Sequence, residues 1–71
     1  MIRLRIKEIL EEKNHTKYWL YKQMDMSYQN LSRLLNNETS SIHFENLEKL
    51  SRLLDCSISD LFEITDDPDD I

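Results

Sequence analysis

The 71-residue sequence predicts a compact, all-α domain of five short helices. Three observations carry that expectation. Apolar residues recur at helical spacing in separate segments. Ser, Thr and Asn stand where helices would start or stop. Glycine is absent, and the only proline, Pro68, lies close to the end. Without glycine, tight primed hairpin turns and phosphate-cradling loops are unavailable, and the chain must turn with Asn, Asp, Ser and Thr. No segment shows an apolar/polar alternation long enough to predict a strand.

The elements follow in order. Ile2, Ile6, Ile9 and Leu10 mark one face of a first helix over about residues 3–13. "NHT" breaks it, and Thr16 caps a second helix, about 17–24, with Leu20 and Met24 inward. After Asp25-Met26, Ser27 caps a third helix running to about Leu35, with Leu31, Leu34 and Leu35 on its inner side. A polar loop, "NNETSSIH", leads to a fourth helix over about 44–54, whose inner face is marked by Phe44, Leu47, Leu50, Leu53 and Leu54. Ser57 followed by Asp60 is a capping-box arrangement for a short fifth helix, about 58–64. Residues 1–64 therefore form one domain and residues 65–71 an acidic C-terminal tail.

A chain this small buries roughly 60% of its unfolded surface, so its core is modest and self-association would help it. The 39% hydrophobic and 32% charged composition suits a globular domain and not a disordered one. No apolar run is long enough to span a membrane, and "MIRLRIKEIL" interleaves charge with aliphatics unlike a signal peptide. The single cysteine, Cys56, excludes an internal disulfide and fits a reducing, cytoplasmic location.

The net charge of -5 conceals an asymmetry. Residues 1–44 carry seven Lys or Arg against five Asp or Glu, whereas residues 45–71 carry two against nine. An anionic partner must meet the first half.

Helices two and three are the informative pair: short, closely joined, the second with a polar front. That is the outline of a helix-turn-helix, whose second helix enters the DNA major groove. At about 100° per residue, Gln29 and Arg33 lie opposite the leucine ridge, with Asn36 beside them. Gln and Asn offer a paired donor and acceptor to adenine, and Arg two parallel donors to guanine. No acid lies between Met26 and Asn37. Lys17 opposes the dipole of the helix it begins, which a DNA phosphate would explain. Read from the residues alone, a solvated face for Gln29, Asn30 and Arg33, an ordinary surface Lys17 and a Tyr28 packed on Leu35 remain open. Trp19, in the aromatic "KYWLY", fits the core edge or a protein interface.

The stretch "IKEILEEKNHTKYWLYKQMDMSYQNLSRLLNN...SIHFENLEKLSRLLDCSISDLF" resembles the phage-repressor, or xenobiotic-response-element, type of helix-turn-helix protein, and the resemblance covers residues 4–63. The resemblance implies a five-helix, lambda-repressor-like fold and a sequence-specific transcriptional regulator, a repressor, acting as a homodimer on double-stranded DNA. It places Tyr28, Gln29, Asn30 and Arg33 at the outward, base-facing positions of the recognition helix, about 28–35. Thr16, Lys17, Ser27, Asn36 and Asn37 fall at backbone-contacting positions, with Asn37 replacing the frequent Gly as a left-handed cap. Departures are Tyr21 for a small residue of helix two, Asp25 for the turn glycine, and a loop, "ETSSIH", without Lys or Arg. Leu10 and Leu35 stand where many members pair Arg with Glu, and are expected to touch.

His15, His43 and Cys56 match no zinc spacing, and no nucleophile-base pair is visible, so neither a cofactor, a metal nor an enzymatic role is expected. No small-molecule domain fits in the length. The alternative reading is a protein-interaction module on the same fold, using the aromatic second helix or the acidic tail.

Overall fold

The computed structural model describes residues 1–65; the acidic tail predicted from the sequence lies outside them apart from Thr65. The elements are β1 (Ile2–Leu4), α1 (Ile6–Glu12), α2 (Lys17–Gln23), α3 (Tyr28–Leu35), α4 (Phe44–Leu53), a single 3₁₀ turn (Ser59–Leu61) and β2 (Phe62–Ile64). Among the described residues the fold is mostly helical, with four α-helices and not five, and its two paired strands mean that it is not all-α.

Both corrections arise where the two ends of the described residues meet. Ile2–Leu4 pairs antiparallel with Phe62–Ile64, in the register Ile2 with Ile64, Arg3 with Glu63 and Leu4 with Phe62. The first helix therefore starts at Ile6, and the expected fifth helix stops after one turn. Apolar and charged residues alternate on both strands, so Leu4 is buried while Arg3 faces out to Glu63 at 3.1 Å and to Glu8 of α1 at 3.1 Å. The terminal amine donates to Thr65 O at 2.7 Å, and Thr65 N–H donates to Met1 O at 2.8 Å, closing the ladder.

The helix ends show how a chain without glycine turns. Thr16 Oγ1 accepts from Trp19 N–H at 3.0 Å and Ser27 Oγ from Asn30 N–H at 3.1 Å, so both expected N-caps are in place. Asn14, Asn37 and Asp55 follow α1, α3 and α4 with φ of 59°, 59° and 50°. Each closes the same paired motif: His15 N–H reaches Leu10 O, Glu38 N–H reaches Arg33 O and Cys56 N–H reaches Ser51 O, beside the shorter-range bonds from Asn14 to Glu11, Asn37 to Leu34 and Asp55 to Arg52. That is the Schellman arrangement, with Asn and Asp tolerating the left-handed conformation that glycine usually takes.

The core is one cluster: Leu4, Ile6, Ile9, Leu10, Leu20, Met24, Leu31, Leu34, Leu35, Leu50, Leu54 and Leu61. Leu10 and Leu35 are both buried in it, as an apolar replacement for an ion pair requires. Phe44 departs from expectation. It does not mark the inner face of α4 but stands 88% exposed at its first position, ahead of the core that Leu50 and Leu54 reach. Ile58 and Ile64, expected inward on a fifth helix, are also exposed.

Candidate nucleic-acid interface

Helices α2 and α3 are joined by four residues, Met24 to Ser27, and both bury their leucines in the common core. The inward pull of Leu31, Leu34 and Leu35 fixes the rotation of α3. Gln29, Asn30 and Arg33 are in consequence exposed on its outer side. Among the described residues Arg33 has no ion-pair partner, so its guanidinium is available to a ligand.

Arg33 and Asn30 also line a shallow groove of about 450 Å³, whose other wall is the 38–43 loop together with Asn46 at the start of α4. The wall is polar, with Thr39, Ser40, Ser41 and His43, although Glu38 brings one acid to its rim. Thr39 Oγ1 donates to Ser41 O at 2.7 Å and orders this lysine-free loop. His43 sits at the N-cap position of α4 without a side-chain capping bond.

Tyr28 and Lys17 are brought together. The Lys17 ammonium lies 4.5 Å from the centroid of the Tyr28 ring, and the Tyr21 ring meets it at 5.2 Å and 78°, edge to face. Tyr28 thus rests on Tyr21 of α2. Tyr21, reaching from α2, fills the inter-helix space with an aromatic contact. Tyr18 continues the row, 6.3 Å from Tyr21 and carrying Lys22 at 5.4 Å.

The remaining candidates divide by what their side chains already do. The Thr16 and Ser27 hydroxyls accept capping bonds and keep their O–H to donate. Asn36 is exposed and accepts from Lys7 Nζ at 3.4 Å, placing a lysine at this end of α3 that residue spacing does not reveal. Asn37 is committed to the fold. Its Oδ1 accepts from Leu4 N–H at 2.6 Å and its Nδ2 donates to Leu4 O at 3.1 Å, so its amide serves β1 as a neighbouring peptide group would.

Trp19 is half-buried and stacked on His15, with centroids 3.7 Å apart and planes 6° from parallel. Cys56 is half-buried at the core, and burial pushes its thiol pKa up, assisted by Asp60, so it is a poor nucleophile. The Ser57 hydroxyl, then the Ser57 N–H, hold the Asp60 carboxyl below the usual range; Ser57 N–H donates to Asp60 Oδ2 at 3.2 Å while Ser57 Oγ accepts from the Asp60 backbone N–H at 3.2 Å, a capping box closed around the 3₁₀ turn. Among the described residues there is no cluster of metal-ligating side chains, and no helix is long and apolar enough to cross a membrane.

A two-helix unit with its second helix presenting unpaired Gln, Asn and Arg belongs to the class of small helix-turn-helix DNA-binding domains. Sequence comparison gives the family: residues 5–67 match the Cro/C1-type HTH DNA-binding domain, and the chain belongs to it. A crystal structure from Bacteroides fragilis, described as that of a "putative DNA-binding protein", is 33% identical over 89% of this chain and 100% of its own, with a TM-score of 0.78. No curated protein matches the chain.

Proposed function

We propose that this DNA-binding regulator is a sequence-specific repressor that reads the major groove with α3 and binds a palindrome as a homodimer. The observation that carries the reading is the outer face of α3: Gln29, Asn30 and Arg33 exposed, without an acid among them and without an ion pair on Arg33 among the described residues. Gln29 and Asn30 match adenine with donor and acceptor together, and Arg33 matches the O6 and N7 of guanine. Tyr28 stands beside them at the first position of α3.

Lys17, the Thr16 and Ser27 hydroxyls and Asn36 with its neighbour Lys7 form the phosphate-contacting rim that sets register. Asn37 supports this rim from behind by holding the end of α3 to β1. With two lysines on the rim, one copy neutralises few phosphates, and two copies on two half-sites supply the remaining affinity.

Selection from a random duplex library at physiological salt tests the reading. A palindrome is expected, its half-site spacing giving the distance between the two α3 helices. An enriched single half-site would restrict the proposal to a monomer. No enrichment, with binding that only tracks low salt, would move the function to a protein partner. For that second reading the supporting observation is Tyr18, 60% exposed on α2; Trp19, stacked on His15 and packed against the core, is not free to anchor it.

A further inference from the structure

The aromatic contact between α2 and α3 has a chemistry of its own. Tyr28 is 48% exposed, yet its ring is not free to swing. Tyr21 meets it edge to face from α2, and Lys17 covers it with a cation from the start of the same helix. An edge-to-face aromatic contact and a cation over the ring each favour one placement of it, so the plane is held before any ligand arrives. A side chain with its rotamer already set loses little entropy on binding.

We propose that Tyr28 is a specificity-determining residue that reads the C5-methyl group of one thymine with its ring, and that Tyr21 is the positioning residue that aims it. The inference rests on α3 lying in the major groove. There, Lys17 at a phosphate puts the adjoining ring just inside the backbone, at the edge of the base pairs. Lys17, in turning to that phosphate, uncovers the ring face it now occupies; thymine is the base that offers an apolar group in that groove, and its partly positive methyl hydrogens suit the negative face so exposed. Tyr21 is half-buried against the core, which fixes the base of its side chain. It therefore supplies a support for Tyr28 that Tyr21→Ala would remove. The competing role for Tyr28 is a hydroxyl bond to a phosphate, which needs neither a fixed ring plane nor a thymine.

The test uses the full chain and the duplex obtained by selection, replacing each thymine in turn by deoxyuridine, which removes the methyl alone. Wild-type protein is expected to lose about fourfold in affinity at one position per half-site, the value of one buried methyl-sized group. Tyr28→Phe keeps that ratio. Tyr28→Ala abolishes it, binding the two duplexes equally. Tyr21→Ala shrinks the ratio while helix content by circular dichroism is unchanged, and Tyr21→Phe preserves it; a merely structural Tyr21 would weaken both duplexes alike and leave the ratio intact.

Three results would overturn the proposal. One is a site without thymine in either half. Another is a deoxyuridine effect that survives Tyr28→Ala. The third is silence to deoxyuridine with Tyr28→Phe as damaging as Tyr28→Ala, which makes the hydroxyl the contact. Failure to select any sequence is a different result, since it removes the major-groove reading itself.

Discussion

Lys17 and Arg33 are both cations on the proposed DNA face, and their surroundings assign them different work. Arg33 projects from the middle of α3 beside Gln29, where base edges would lie. Lys17 opens α2 and rests over the Tyr28 ring at 4.5 Å, at the rim. Lys17→Ala should therefore weaken binding to every sequence by a similar factor and lower the slope of log affinity against log salt by about 1. Filter binding between 50 and 200 mM salt, on selected and scrambled duplexes, checks this. A loss confined to one sequence would move Lys17 onto a base. The outward set on α3 was legible from the 3.6-residue period, because three leucines fix the rotation of the helix. The support beneath Tyr28 was not, since Tyr21 and Tyr28 belong to different helices and no period relates them.

At the scale of the elements, the three left-handed residues make a comparison. Asn14 and Asn37 have the same φ of 59° and end α1 and α3 with the same motif, but only Asn37 uses its side chain to hold Leu4. Asn14→Gly relieves the left-handed strain and should leave stability unchanged or raise it by up to about 1 kcal/mol. Asn37→Gly keeps the permissive backbone but deletes two hydrogen bonds, for a net loss of roughly 1–2 kcal/mol. Urea denaturation of both variants gives the comparison, and faster amide exchange at Leu4 identifies the cause; equal shifts in the two would show that the clamp is worth nothing.

The capping box on the 3₁₀ turn carries a pH dependence. Asp60 is depressed by Ser57, so its contribution is fully present above the ordinary carboxylate pKa and lost as pH falls through its folded value. Ser57→Ala should return the Asp60 titration, followed by carboxyl carbon shifts, toward the ordinary range. The box itself was readable in "SISD"; what it caps was not. A period of two was present in "IRLRI" and "FEI", but strands of three residues are too short to outweigh helical spacing. Each becomes a strand only because the other is there, 60 residues away along the chain.

For the whole molecule, the two ends of the described chain close on each other, and this sheet is tied to α3 through Asn37. Removing residues 1–4 would strip β2 of its partner, take Leu4 from the core and leave the Asn37 amide unpaired. In a domain of this size, whose total stability is of the order of 5 kcal/mol, that should lower the thermal midpoint by more than 10 °C. A calorimetric scan checks it, and an unchanged midpoint would mean that the sheet is ornamental to the helices. The central core was legible as leucines at helical spacing, and the helix-turn-helix with it. The exposure of Phe44 was not, because period alone does not tell a core position from one that lies beyond the end of the core.

The most direct measurement is the affinity of wild-type and Arg33→Ala protein for the selected duplex and for each of its single-base variants. If α3 reads the major groove, Arg33→Ala costs roughly 1–3 kcal/mol on the selected duplex and relaxes the preference at one base pair per half-site, leaving the others as they were. An equal loss on every duplex would make Arg33 a phosphate contact, and no loss at all would take the polar face of α3 off the DNA.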